Sequence, residues 1–373
     1  MSDSAVEGMP PIGYGGRPAA LRDALDGRTM VVSDPVNIRW LTGFGGSLAW
    51  AVIGADRLVL ITDGRYAQRA AAELAAAGVD ADIEVGRSRS EIRQRVIDAA
   101  GVDGPVVAEG GHLTYDAWSE LATDLELEPA RGVIERLRRT KDAGEIARIE
   151  RAATFADAAL ADVAPSLADR PSEIDVRDEL EHRMRRLGAD GPSYDTIVAA
   201  GPDHGARPHH APTSRTIQSG ETVIIDVGAL VDGYHSDMTR SYVVGEPTDE
   251  QRRVYELVLD VQRAGVDAAV AGCAAVELDD ACRARFADAG FGDWVLHGTG
   301  HGVGLVIHED PFVTSTSQDT LAVGDVVTVE PGLYRDGFGG IRIEDLVVVT
   351  RTGPRTLTST PKDSPCLPSR PTT

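Results

Sequence analysis

Four carboxylates in this chain stand at the ends of apolar runs or inside them, where a soluble protein seldom places an acid. Asp226 closes "TVIID", Asp237 lies in "YHSDMTRSY", Glu330 closes "DVVTVE" and Glu344 is embedded in "GGIRIEDLVVV". Between the two pairs, "GTGHGVGLVIHED" sets His301 and His308 seven residues apart behind glycines at 298, 300, 302 and 304. One reading makes the acids solvated surface groups and the histidines incidental to a glycine-rich turn. The other makes them a ligand set. Two divalent cations would balance four carboxylates, and a neutral imidazole adds no charge, so the group could be buried. Oxygen-dominated ligands with one imidazole suit Mn²⁺, Co²⁺ or Fe²⁺, with Zn²⁺ allowed. A phosphate loop does not fit, since no Lys-Ser/Thr follows the glycines and no GxGxxG register is present.

The elements around these residues position them in pairs. Asp232-Gly233 signals a two-residue hairpin turn. With those residues as the loop, Leu230 pairs with His235 and Gly228 with Asp237. Asp226 is then two residues from Gly228, and its side chain leaves the same face as that of Asp237. Asp142 with Glu145 forms a capping-box pattern opening a long helix, and Thr248 with Gln251 forms another. Helices are expected over about 142–165, 171–187, from 248 and over 275–289, with a strand in "SYDTIVAAG" and hairpins over 221–244 and about 324–349. Two halves thus share the order helix, helix, strand, hairpin, although no letter-by-letter repeat is visible. Upstream, from Pro18 to about Ala130, strand-like runs alternate with helical ones ("RYAQRAAAELAAAG", "SEIRQRVIDAAG", "TYDAWSELATDL"), which predicts a separate α/β domain.

Composition narrows the classes. A chain of 373 residues predicts two domains. A net charge of −22 argues against nucleic acid as a partner. Three cysteines without CxxC spacing argue against a disulfide framework or a thiolate metal site. No apolar run reaches the ~18 residues of a membrane helix, and "MSDSAVEGMPPIGYGG" lacks a secretory pattern, so the expectation is a cytoplasmic protein without membrane partners. Both ends, through about Gly16 and from about Pro361, are expected to be frayed.

The set Asp226, Asp237, His301, Glu330 and Glu344, in "IIDVGALVDGYHSDMTRSY", "GTGHGVGLVIHEDP", "VEPGLY" and "GIRIED", resembles the pita-bread-fold metallopeptidase family, in its Xaa-Pro aminopeptidase and prolidase branch. "VSDPVNIRWLTGF" and "TDGRY" resemble that branch's creatinase-type N-terminal domain. The resemblance implies a creatinase-type α/β domain over 17–138, an α+β pita-bread catalytic domain with pseudo-twofold halves over 139–361, and a loose tail over 362–373. It implies two divalent metals, Mn²⁺ foremost. Asp226 would chelate one, Asp237 and Glu344 would bridge both, and His301 and Glu330 would complete the second. Glu330 would also move the reaction proton. His209 and His308 would contact substrate near the reacting carbonyl, His297 and Arg342 would join them in substrate binding, and Arg342 would also take part in catalysis. The glycines would let the backbone crowd the metals. The implied partners are proline-containing peptides and a second copy in a homodimer. The implied activity is Xaa-Pro aminopeptidase, with a prolidase restricted to dipeptides as the alternative. A methionine aminopeptidase-like enzyme, a creatinase-like hydrolase and a non-catalytic peptide-binding protein stand behind these, the last two opposed by the intact ligand set.

Overall fold

The computed structural model describes residues 6–101 and 104–369. The chain divides into two compact units, Pro11–Arg138 and Met1–Pro10 together with Arg139–Thr373. The first is the α/β unit that the alternation predicts. Its strands are β1 (Met30–Val32), β2 (Trp50–Ile53), β3 (Leu58–Asp63), β4 (Asp82–Gly86), β5 (Val106–Glu109) and β6 (Leu127–Ala130), joined in the order β4-β3-β2-β1-β5-β6. Ala55 and Asp56 lie in the turn between β2 and β3, which pair antiparallel. The helices are α1 (Arg17–Leu25), α2 (Pro35–Thr42), α3 (Ala67–Ala77), α4 (Arg89–Ala100), α5 (Tyr115–Leu121) and α6 (Val133–Arg139). Periodicity identifies α3, α4 and α5. It does not reveal α2, whose start is set by Pro35 in the first turn and by Asp34, whose carboxylate accepts from the Val36 amide.

The second unit carries the acids. Helices α7 (Ala143–Val163) and α8 (Glu173–Leu187) open it, both with complete capping boxes, Asp142 with Glu145 and Ser172 with Asp175. Then come β7 (Gly191–Pro192), β8 (Ile197–Ala200), the single turn α9 (Gly201–His204), β9 (Thr222–Asp226), β10 (Ala229–Val231), β11 (Tyr234–His235) and β12 (Thr239–Val243). The second half repeats the plan. Helix α10 (Asp249–Ala268), capped by Thr248 and Gln251, and α11 (Ala275–Asp288) precede β13 (Gly300–Gly302), β14 (Glu309–Val313), β15 (Val326–Val329), β16 (Gly332–Arg335), β17 (Gly339–Arg342), β18 (Asp345–Thr350) and β19 (Gly353–Thr356). A three-stranded sheet is ordered β12-β9-β8 and a five-stranded one β14-β13-β15-β18-β19, together with two further sheets, β11-β10-β7 and β16-β17. In each of the first two, the long hairpin (β9 with β12, β15 with β18) lies beside a strand from the segment that precedes it. The duplication inferred from element order is therefore present in the strand pairing. Separate apolar clusters support the halves, one around Leu160, Leu180 and Ile225 and another around Val258, Phe286 and Ile341.

The expected loose ends are a correction. Ile12 is buried and Val6 packs against the core cluster of the first half. At the other end the Val243 amide donates to the Pro365 carbonyl at 2.7 Å, and Leu367 packs on the same cluster. A Pro-, Ser- and Thr-rich composition signals missing helix and strand propensity; it does not signal missing hydrogen-bond partners. Residues 1–5 and 370–373, on which the same expectation falls, lie outside the described range.

Candidate metal centre

Strand register brings the acids together. Asp232 and Gly233 both have positive φ, 48° and 73°, as a tight hairpin turn of the predicted kind requires. Leu230 pairs with His235, and Asp226 with Thr239, in one register on either side of a short interruption. Asp237 therefore stands opposite Gly228, and its side chain shares a face with Asp226. In the second hairpin, Val329 pairs with Asp345 and Gly332 with Arg342, which sets Glu330 opposite Glu344. Like charges facing each other across strands destabilise a sheet. Something must compensate for them.

Oxygens of Asp226, Asp237 and Glu344 lie within 4.8 Å of one another. His301 Nε2 is 3.5 Å from Asp237 Oδ2 and 3.4 Å from Glu330 Oε1. All five predicted ligands thus converge. The other nitrogen of His301, Nδ1, is 3.0 Å from the Gly302 carbonyl. A carbonyl only accepts, so Nδ1 carries the proton and Nε2 turns its lone pair toward the carboxylates, the tautomer that a metal ligand needs. Burial lowers the His301 pKa and keeps the ring neutral. Burial, then the neighbouring acids, pushes the carboxyls of Asp237 and Glu344 well above the usual range; burial first also raises Glu330. Glu344 accepts from Thr239 Oγ1 at 2.7 Å through Oε2, while its Oε1 is buried without a hydrogen-bond partner.

A cavity of about 460 Å³ opens on this cluster, lined also by His209, His297, His308, Arg342 and Phe312. His209 and His308 are exposed there, and the rings of His301 and His308 are 4.4 Å apart. His297 and Arg342 line the same cavity, and each is held there by hydrogen bonds within the protein. His297 Nδ1 donates to the Gly298 carbonyl at 2.7 Å, and its Nε2 accepts from the Tyr334 hydroxyl at 2.8 Å. Arg342 donates to Tyr334 Oη (2.7 Å), Thr239 Oγ1 (3.0 Å), the Pro208 carbonyl (3.1 Å) and Asp226 Oδ2 (2.6 Å). In this chain of bonds His297 fixes Tyr334, Tyr334 fixes Arg342, and Arg342 orients Asp226. Arg342 thereby holds Asp226 and the Pro208 carbonyl in place, with His297 behind it.

The glycines also admit neighbouring strands. A Cβ on Gly300 would lie 2.1 Å from the Thr328 carbonyl, and one on Gly302 would lie 2.5 Å from that of Asp310. Neighbouring backbone leaves no room for a side chain at these two positions. Sequence reasoning missed Tyr194, whose hydroxyl contacts both Asp226 Oδ1 and Asp237 Oδ1, one proton facing two acceptors. It missed Thr239 and Thr328 too, although a signal existed. Thr239 is two residues after Asp237 and Thr328 two before Glu330, alternate positions on one strand face. Thr328 Oγ1 donates to Glu330 Oε1 (3.2 Å) and accepts from the His301 amide (3.0 Å). A second trio of ligand-type residues, Glu173, His204 and His210, lies elsewhere in this unit. A larger cavity, about 800 Å³, lies in the N-terminal unit among Trp50, Arg65, Arg87 and Arg93, with no such trio among the described residues.

Residues 147–351 match the profile of metallopeptidase family M24, and residues 19–140 that of the creatinase/prolidase N-terminal domain. The chain belongs to family M24. It is similar to the Xaa-Pro dipeptidase of Pyrococcus furiosus, 39% identical over 256 residues that cover 68% of this chain and 73% of the relative. Among solved structures, an Xaa-Pro dipeptidase from Bacillus anthracis superposes with a TM-score of 0.88 at 35% identity, covering 94% of this chain and 99% of that one. An X-Pro aminopeptidase from Thermotoga maritima gives 0.84 at 28% identity, covering 92% and 98%. The chain is thus a hydrolase of a family that uses divalent metals, built from a creatinase N-terminal domain and a pita-bread catalytic domain. Its donor set fits such ions. An orphaned buried carboxylate oxygen, like charges with raised pKa values and an imidazole lone pair all call for positive charge. Among the described residues, no helix is long and apolar enough to cross a membrane.

Proposed function

We propose that this chain is a dinuclear metal-dependent exopeptidase that cleaves the Xaa-Pro bond, with Xaa-Pro dipeptides as its substrates. The observation that carries the reading is the convergence of Asp226, Asp237 and Glu344, with Glu344 Oε1 unpartnered and His301 Nε2 turned inward. Relatives described as Xaa-Pro dipeptidases support the dipeptide form over the longer-peptide reading that the sequence put first. Asp226, Asp237, His301, Glu330 and Glu344 would hold the two ions, with Mn²⁺ the proposed occupant. Bound ions would supply polarisation of the scissile carbonyl and acidification of a water.

The side chains supply the rest. A prolyl leaving group is a secondary amine and departs only when protonated. Glu330, whose pKa burial raises and whose Oε1 Thr328 holds, takes up a proton and delivers it to that nitrogen. His209 and His308, exposed on the cavity, donate to the oxyanion as it forms. Arg342 keeps Asp226 oriented throughout.

Cleavage of longer peptides is the second reading, supported by the likeness to an X-Pro aminopeptidase. The test is to strip the protein with a chelator, reload it with Mn²⁺, and compare Ala-Pro, Ala-Pro-Ala and Ala-Ala. Fast turnover of Ala-Pro alone is expected. Equal turnover of Ala-Pro-Ala would replace the dipeptidase with an aminopeptidase, and comparable turnover of Ala-Ala would contradict the Xaa-Pro reading. We also propose a homodimer; sedimentation as a monomer at micromolar concentration would refute it.

A further inference from the structure

The residues after 351 lie beyond the stretch that matches the family profile, yet part of them is tied into the interior directly behind Glu344. Arg240 is 1% exposed. Its guanidinium donates to the Thr360 carbonyl through Nε (2.9 Å) and Nη2 (2.7 Å), to Asp345 Oδ1 (2.9 Å), to the Thr239 carbonyl (2.9 Å) and to the Glu344 carbonyl. One cation therefore bridges the C-terminal segment to the backbone of a ligand and to that of the threonine whose hydroxyl holds the ligand. Asp345, also 1% exposed, accepts from Thr358 Oγ1 (2.9 Å), Gln262 Nε2 (3.0 Å) and Lys362 Nζ. The segment is anchored on the other half as well. Asp157 of α7 accepts from the amides of Ser359 and Thr360, both at 2.8 Å, and from their hydroxyls at 2.8 and 2.6 Å. Residues 358–362 thus span from the first half to the second.

We infer that this C-terminal strap is a positioning element of the metal centre, holding Arg240 and Asp345 so that Glu344 keeps its carboxylate on the cluster. The physical need is plain. Glu344 faces like charges and receives a single side-chain hydrogen bond, so repulsion would turn it away unless its backbone were fixed from behind. The inference rests on the proposal that the acids bind divalent ions.

The test is calorimetric titration of Mn²⁺ into the chelator-stripped full chain and its Asp157→Ala and Lys362→Met variants. Affinity should fall about tenfold in each, the scale of a change just behind a ligand, with unchanged circular dichroism. Leu180→Ala, a cavity variant in the first-half core, should lower Tm and leave Mn²⁺ affinity alone, which separates positioning from mere stability. Should Asp157→Ala fail to fold, Lys362→Met decides the matter, because that side chain is partly exposed. Affinities within twofold of wild type would overturn the inference alone. A wild type that takes up no divalent ion would overturn it together with the metal reading.

Discussion

Glu173 and Glu344 are two buried glutamates of the same unit, each in a trio of ligand-type residues, and their surroundings are opposite. Glu173 accepts from the amides of Ala200 and Thr213, both at 3.0 Å, and from Thr213 Oγ1 at 2.9 Å, with His204 Nδ1 at 2.9 Å and His210 Nε2 at 3.2 Å. Burial alone would raise its pKa; the bonds from His204, Ala200 and Thr213 outweigh that and hold it below the usual value. Glu344 has one donor, an orphaned oxygen and acids for neighbours, and its pKa goes the other way. Residue types alone therefore do not define a metal centre. The donor count separates the two: Glu173 is surrounded by N–H and O–H groups, whereas Glu344 is left short of them, as the proposed metal reading requires.

Breaking each side of this contrast gives the largest effects. Glu344→Gln should lose metal and slow Ala-Pro turnover ~10³-fold, since ions at such sites contribute several kcal/mol to the transition state. Glu173→Ala should instead keep the metal and lower Tm, because buried donors are left unpaired at ~1–3 kcal/mol each; thermal melts with metal analysis on both variants check the pair. Next comes the contrast within "GTGHGVGLVIHED". His301→Ala should lose metal, whereas His308→Ala should keep it and lose ~10²–10³-fold in turnover as an oxyanion donor. Metal loss in His308→Ala would reverse the assignment.

The sequence carried the acids because a charge at the end of "TVIID" or inside "GGIRIED" contradicts its own strand, and the Asp232-Gly233 turn set their register. Tyr194 was not legible: in "SYDTIVAAG" it reads as an ordinary strand aromatic, and only folding sets its hydroxyl on two aspartates. Glu173 stands in the first turn of a helix, and its donors arrive from residues 200 to 213, which local sequence does not reveal. The strap was hidden because its bonds run from backbone atoms of a Pro- and Thr-rich tail to Asp157 and Arg240, over a hundred residues away.

Smaller effects sharpen the comparison further. Tyr194→Phe should weaken Mn²⁺ binding about tenfold, as loss of an orienting hydrogen bond does; an unchanged Kd would make the tyrosine a packing residue. The pH dependence of the two clusters has opposite sign. Glu173, with its pKa lowered in the fold, contributes stability above the ordinary carboxylate value that is lost as pH falls through its folded pKa. Asp237 and Glu344, with raised values, contribute stability at low pH that is lost as pH rises through theirs in the metal-free protein. Mn²⁺ must displace those protons, so affinity should climb as pH rises, with proton release seen across buffers of different ionisation enthalpy. A flat profile would mean that the acids are already ionised without metal.

The most direct test of the central claim is metal stoichiometry by elemental analysis after stripping, Mn²⁺ loading and desalting, on wild type, Glu344→Gln and Glu173→Gln side by side. The account predicts about two ions per chain in wild type and Glu173→Gln, with a clear loss in Glu344→Gln. Ions retained in Glu344→Gln and lost in Glu173→Gln would contradict it.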